Sequence, residues 1–202
     1  SLAFLGIKIT RIKTEKSPAA HLSMVTLPDG SLITLNAGSK IAYKKGFGIT
    51  HRNISLKGEA YFEVKENRQL PFIVMAGEAG IRVTGTKFNV KAYNENPIIK
   101  VTVTSGSVVL FETIRPLKEA VLGAGETGIY DRSAKTVTKL TLVDMNDMAW
   151  KTLIIDFQNT PLTEVADILM NTYHIPLEID TVVKNCSVTV RFENQPVDSV
   201  IN

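Results

Sequence analysis

Between residues 22 and 142 apolar side chains alternate with polar ones in short runs, and no stretch holds a 3.6-residue period over three turns. Residues 24–27 and 31–35 alternate in this way around Pro28-Asp29-Gly30. Proline presets φ and Asp-Gly supplies the positive-φ position of a tight turn, so the segment predicts a strand, a turn and a returning strand. Residues 54–56, 60–64, 72–75, 81–83, 87–90, 100–103 and 108–111 continue the pattern with β-branched and aromatic residues at period two. Such runs fit strands with one face in a core. Four segments share one scheme of apolar strand, glycine, apolar strand, with the glycines at 58, 85, 106 and 125. A glycine between buried strands marks a bend or bulge where a Cβ does not fit. The reading is an all-β, rolled or sandwich-like domain over residues 22–143, solenoid-like in its recurring corner but too irregularly spaced for a true solenoid.

From Asp144 the pattern changes. Residues 144–149 are polar at alternate positions and free of glycine and proline, unlike a flexible tether. They predict a short helix with Asp144 as its N-cap and with Met145, Met148 and Trp150 packed at a domain junction. A strand follows at 153–157, then a helix with Thr160 as N-cap and Pro161 at its first position. Leu162, Val165, Ala166, Leu169 and Tyr173 fall on one face of that helix. Pro176 ends it, and strands are expected at 177–179 and 188–192. Residues 157–165 align without a gap to residues 192–200 at an offset of 35: each copy reads strand, Asn, a proline-initiated helix. Residues 144–202 therefore read as a small α+β domain of duplicated βαβ type. The second copy stops one turn into its helix, so the domain is expected to be C-terminally truncated.

Composition narrows the classes. The 202 residues include 44% hydrophobic and 21% charged side chains, which excludes disorder. A net charge of +3 is too slight for a nucleic-acid binder that neutralises many phosphates. One cysteine excludes a disulfide framework and a multi-cysteine zinc site, and no cofactor is implied. The charge is unevenly placed: residues 1–57 carry +7, residues 58–140 carry +2 and residues 141–202 carry −6. Such polarity steers orientation toward a surface or a partner, although chance asymmetry of an ordinary solvated surface gives the same count.

The segments 27–39, 56–64, 71–74 and 83–90 together resemble the β domain of FecR-type anti-sigma factors. Residues 150–157, Pro161-Leu162 and Phe192 resemble the C-terminal domain that accompanies it, which is similar to the secretin/TonB short N-terminal domain. The resemblance implies the periplasmic, signal-transmitting region of an inner-membrane sigma regulator of a Gram-negative bacterium. Its implied partners are the signalling domain of a TonB-dependent transporter and, through a cytoplasmic segment absent from this chain, a sigma factor. Contact with the membrane would run through a transmembrane helix also absent here. Residues 1–21 would be a membrane-proximal linker, with residues 1–7 at the membrane flank.

Little in the chain points to catalysis. His21, His51 and His174 have no metal-ligand spacing, and His174 reads as a helix C-terminal residue. Cys186 has no base nearby in sequence and reads as a buried or inert thiol. Glu59 and Glu63 read as surface acids. The Gly85-Thr86 bond is a self-cleavage point in some FecR-type relatives, where the threonine hydroxyl attacks the preceding carbonyl; a structural glycine corner with Thr86 hydrogen-bonded locally is the alternative. The acidic C-terminal unit is expected to form the partner surface. Leu153, Ile155 and Phe157 on one strand and Val188, Val190 and Phe192 on the other would pair with the partner by strand addition, unless they only close the unit's own sheet. An envelope glycan-binding β module is the competing function, but one tryptophan and five tyrosines show no aromatic row.

Overall fold

The computed structural model describes residues 11–114, 119–141 and 144–201, with the side chain of Met145 outside the described residues. The residues 1–7 expected at a membrane flank also lie outside them. Thirteen strands form one continuous sheet: β1 (Ile12–Lys16), β2 (Ser23–Thr26), β3 (Leu32–Leu35), β4 (Lys40–Lys44), β5 (Arg52–Glu63), β6 (Phe72–Ala76), β7 (Ala79–Val83), β8 (Lys87–Ala92), β9 (Ile98–Ser105), β10 (Ser107–Glu112), β11 (Glu119–Gly123), β12 (Thr127–Asp131) and β13 (Thr136–Leu140). A 3₁₀ helix (Met145–Met148), α1 (Ala149–Thr152), β14 (Ile154–Pro161), α2 (Leu162–Tyr173), β15 (Ser187–Glu193) and α3 (Val197–Ile201) complete the chain.

The continuous sheet is folded over into two layers by β5. Its first half pairs with β4 and β6, and sheet A runs β1-β4-β5-β6-β7-β10-β11. Its second half pairs with β3 and β8, and sheet B runs β2-β3-β5-β8-β9-β12-β13. At the far side β11 and β13 lie beside one another, which nearly closes the roll. The strand changes sheets at Gly58, whose φ is +96° and whose missing side chain leaves room for Ser39; a Cβ there would lie 2.8 Å from Ser39 Cβ and 2.9 Å from its Cα. The Ser39 hydroxyl in turn accepts the Glu59 backbone N–H at 2.8 Å. Among the described strands β5 and β6 alone pair in parallel. Parallel neighbours need a crossover, and here the second half of β5, lying in the other sheet, serves as part of it.

Alternation holds along both layers. Ile54 and Leu56 on sheet A, and Phe62, Phe88, Val90, Val101 and Val103 on sheet B, point into one shared core. Phe62 stacks on Phe88 at 5.0 Å and meets Phe72 of the opposite layer edge-on at 6.2 Å, a geometry aromatic quadrupoles favour. The predicted Asp-Gly turn forms: Asp29 accepts from the Ser31 backbone N–H and hydroxyl, both at 2.9 Å, and Gly30 has φ +84°. Beneath it lies Arg52, whose side chain is 1% exposed. Its guanidinium donates to Asp29 at 3.2 Å and to the carbonyls of Leu70, Lys65 and Asn67 at 2.6–3.0 Å. A buried cation is tolerated only when its donors are used in this way.

Several boundaries differ from the sequence reading. Residues 12–16, read as linker, form β1 against β4. The strand expected at 177–179 is absent, since no neighbouring strand is placed to pair with it. β14 extends through Pro161, so Pro161 rather than Thr160 precedes the helix, and the Thr160 hydroxyl accepts from the Gln158 backbone instead. Of the four recurring glycines, 58, 106 and 125 take positive φ, whereas Gly85 does not. Asn159 and Asn194, equivalent in the 35-residue repeat, both take φ near +50° (52° and 50°), and the second helix, α3, begins where the repeat places it.

Gly58→Ala should destabilise the fold by at least about 2 kcal/mol, because it adds a left-handed backbone penalty to a clash with Ser39. Urea unfolding measures this; a variant within 0.5 kcal/mol (about the scatter of neutral surface changes) would show that the strand bends without needing glycine.

Candidate functional site at the junction with the C-terminal unit

The C-terminal unit packs β14 and β15 against α2 around Ala149, Ile155, Phe157, Val165 and Leu169. The predicted apolar face of the helix is the one buried. His174 ends it as a left-handed C-cap with φ +57°. The short helix forms with Asp144 as its cap, accepting from the Asn146 backbone, and Trp150 is 2% exposed; the Met145 side chain expected beside it lies outside the described residues. Met148 is half-buried.

This unit sits on the outward face of sheet B through polar contacts. Asp147 receives the Lys100 ammonium at 2.6 Å and the Thr102 hydroxyl at 3.4 Å. Lys151 lies 4.3 Å from the centre of the Tyr61 ring. Beside them Glu59, read from sequence as a surface acid, is fully buried. It accepts from Asn36 at 3.0 Å and Asn89 at 2.8 Å, and Asn171 of α2 also acts on it. Glu63, by contrast, stays partly exposed and binds Lys87 at 2.9 Å. Alternation puts Glu59 on the outward face, and that face is buried because the C-terminal unit covers it.

Burial pushes the Glu59 carboxyl above the ordinary carboxylate range, with Lys91 and the surrounding amides opposing. Burial likewise raises Asp147 against the pull of Lys100. It raises the Tyr93 hydroxyl, with the Glu59 charge adding to it. His174 moves the other way, lowered first by burial and then by the charge of nearby His21. The junction thus includes charges and amides beside the buried Trp150, and polar contacts of this kind are common between parts that move relative to each other.

The residues expected to meet a partner divide in two. Ile155 and Phe157 are fully buried beneath α2. Leu153 is half-buried in a left-handed turn between α1 and β14. Val190 is exposed, while Val188 and Phe192 are half-buried. Among the described residues β14 and β15 pair with no further strand, but only β15 keeps an open edge: on β14 the Asn146 side chain takes both backbone groups of Asp156, at 2.8 Å each, and the Thr152 and Thr160 hydroxyls accept the N–H groups of Ile154 and Gln158. Phe157, Val188, Val190 and Phe192 line an open apolar groove of about 360 Å³ with Leu169 and Leu177. Cys186, read as a buried or inert thiol, is exposed beside the turns at 181–185, so burial does not hold there.

Gly85 and Thr86 lie between β7 and β8. A Cβ on Gly85 would come within 2.8 Å of Glu66 Cα, so the position needs glycine for space. Thr86 is 4% exposed, and its hydroxyl donates to the Ser107 carbonyl at 2.8 Å. Gly106 closes over the pair: a Cβ there would lie 2.9 Å from both the Gly85 carbonyl oxygen and the Thr86 hydroxyl.

Residues 10–109 match the family model described as FecR protein, and residues 154–202 match that described as FecR, C-terminal. The chain belongs to the FecR family. Two crystal structures of a "putative anti-sigma factor" from Parabacteroides distasonis ATCC 8503 superpose on it, each with a TM-score of 0.76. They are 28% and 29% identical to it, cover 95% and 94% of this chain, and are themselves covered to 89%. No curated protein matches the chain. FecR proteins are membrane anti-sigma factors, so this FecR chain is part of a sigma regulator and its family implies interaction with a sigma factor. No catalytic family is indicated. Among the described residues no helix is long and apolar enough to cross a membrane.

The raised Glu59 carboxyl has a readable sign. A folded-state pKa above the unfolded one means the folded chain binds the extra proton, so stability is lost as pH rises from the unfolded value of 4.5 toward the folded one. Glu59→Gln should remove that slope. Urea unfolding across pH should show wild type losing up to about 1.4 kcal/mol per pH unit relative to the variant; parallel curves would mean that Glu59 titrates normally.

Proposed function

We propose that this chain is the periplasmic, signal-transmitting region of an inner-membrane sigma regulator and that it reads the signalling domain of a TonB-dependent transporter. The observation that carries the reading is the C-terminal unit: it has an open strand edge on β15 and an open apolar groove beside it. It is fixed to sheet B by Asp147, Lys151 and the covered Glu59 cluster. The domain assignments that go with this reading are a sandwich extending to residue 143 and a C-terminal unit from 144. A partner that adds a strand to β15 and fills the groove would pull on α2, and Asn171 of that helix abuts Glu59. Docking would then reach the sandwich through the polar junction. The unit's net charge of −6 favours a basic partner face. The glycan alternative finds no favour in the aromatic residues: Tyr43, Tyr61, Tyr130 and Trp150 are all buried.

The same reading leaves Gly85-Thr86 as a structural corner. The Thr86 hydroxyl is already committed to the Ser107 carbonyl, which is no base.

Two measurements test these statements. Titration with the isolated transporter domain should show binding that weakens with salt. A charge-preserving Val190→Asn change in the groove should weaken it about tenfold, the cost of roughly one buried apolar side chain. Binding that survives removal of residues 144–202 would defeat the proposal. Intact-mass analysis of the purified chain should give only the full-length 22.2 kDa species; fragments divided after Gly85 would establish self-cleavage.

A further inference from the structure

Three lysines stand abreast on the outward face of sheet A. Lys16 on β1 lies directly opposite Lys40 on β4, and Lys40 lies directly opposite Lys57 on β5. All three are exposed, and none holds a carboxylate among the described residues. Like charges at directly opposed strand positions destabilise a sheet, so this row works against the fold unless an anion meets it. The next row on the same face, Thr14, Ala42 and Ser55, carries small side chains and hydroxyls, and the two rows enclose a shallow open depression of about 360 Å³.

The rest of the face agrees. On these three strands the outward positions are Ile12, Thr14 and Lys16 on β1, Lys40, Ala42 and Lys44 on β4, and Asn53, Ser55 and Lys57 on β5, without one carboxylate among them; Glu119, farther along the sheet on β11, pairs with Arg82 at 3.6 Å. The acids nearby are engaged elsewhere: Glu15 on the inward side holds Lys13 at 2.9 Å, and Asp29 holds buried Arg52. At the end of the face where β1 begins, Arg11 and Lys45 are exposed next to two large apolar side chains, Ile12 at 63% and Ile49 at 82% exposure.

We infer that this face docks on a bilayer surface carrying anionic phospholipids. A sheet face with lysines in a row across it and isoleucines at its rim suits a layer of headgroups: the ammonium groups meet phosphates while Ile12 and Ile49 enter the boundary with the acyl region. The family of membrane anti-sigma factors places such a surface within reach. The face lies in sheet A, whereas the C-terminal unit sits on sheet B, so docking leaves the groove and the β15 edge of that unit open. The inference does not depend on what the C-terminal unit binds.

The test is co-sedimentation of the whole chain with vesicles of phosphatidylcholine containing phosphatidylglycerol, against phosphatidylcholine alone, at low and high salt. Binding should require the anionic lipid and fall at high salt. Each basic side chain near such a surface strengthens binding about fivefold, so Lys40→Glu, which reverses a charge, should weaken it by more than about tenfold. The same change places a carboxylate between two lysines, so the thermal midpoint should stay level or rise, which separates lost docking from lost folding. Lys184→Glu, on the C-terminal unit, should leave binding unchanged. The inference is overturned by equal binding to both vesicle types, by equal losses in the two variants, or by salt-sensitive self-association in place of vesicle binding. The last outcome would assign the basic face to the acidic unit of a second copy.

Discussion

The two layers of the sandwich share a strand, and nearly every other feature follows from how that strand turns. β5 contributes its first half to one sheet and its second half to the other. The change of layer is made at Gly58 by a positive φ that only an absent side chain allows over Ser39. Arg52 at one end of the strand gathers the 27–30 turn and the 65–70 loop, and Glu59 just past the bend gathers Asn36 and Asn89. The strand thus holds a buried cation on one layer and a buried carboxyl on the other, each surrounded by groups that use its hydrogen-bonding capacity. Replacing either by an apolar residue would leave several buried donors or acceptors without partners, a loss of about 1–3 kcal/mol for each.

The polar seat of the C-terminal unit gives the molecule a joint of intermediate strength. Apolar packing would weld the two parts, and a Gly/Ser tether would uncouple them. Asp147 on Lys100, Lys151 on Tyr61 and Asn171 near Glu59 do neither. These contacts fix the orientation of α2 while remaining exchangeable with water. That suits a regulator whose input and output lie on different elements, because a partner need supply only a few kcal/mol of differential affinity to bias the joint.

Much of this architecture was legible in residue order. Period-two alternation marked most strands, Asp29-Gly30 marked its turn, and the offset of 35 located Asn159 and Asn194, both left-handed in the structure. Alternation tells which face a residue lies on, however, and not what covers that face. Glu59 therefore read as a surface acid although α2 and its neighbours bury it. The three-lysine row was equally hidden, since Lys16, Lys40 and Lys57 are far apart in sequence and meet only through the register of three strands. Residues 12–16 read as linker because one short, exposed edge strand lacks a clear apolar stripe. Residues 177–179 carry a strand's composition but no neighbour to pair with, and β-propensity without a partner forms no strand.

Because β5 belongs to both layers, the order in which the chain is made has a consequence for how it acquires structure. β3 and β4 are synthesised before it and β6 and β8 after it, yet all four hydrogen-bond to β5. β2 can pair with β3, and β1 with β4, before β5 emerges, but the inner edges of β3 and β4 have no partner until β5 is released. Closure of such long loops makes non-local β topologies slow to form. The interval between release of β4 and release of β8 is therefore the period in which the nascent chain most needs protection from association with its neighbours.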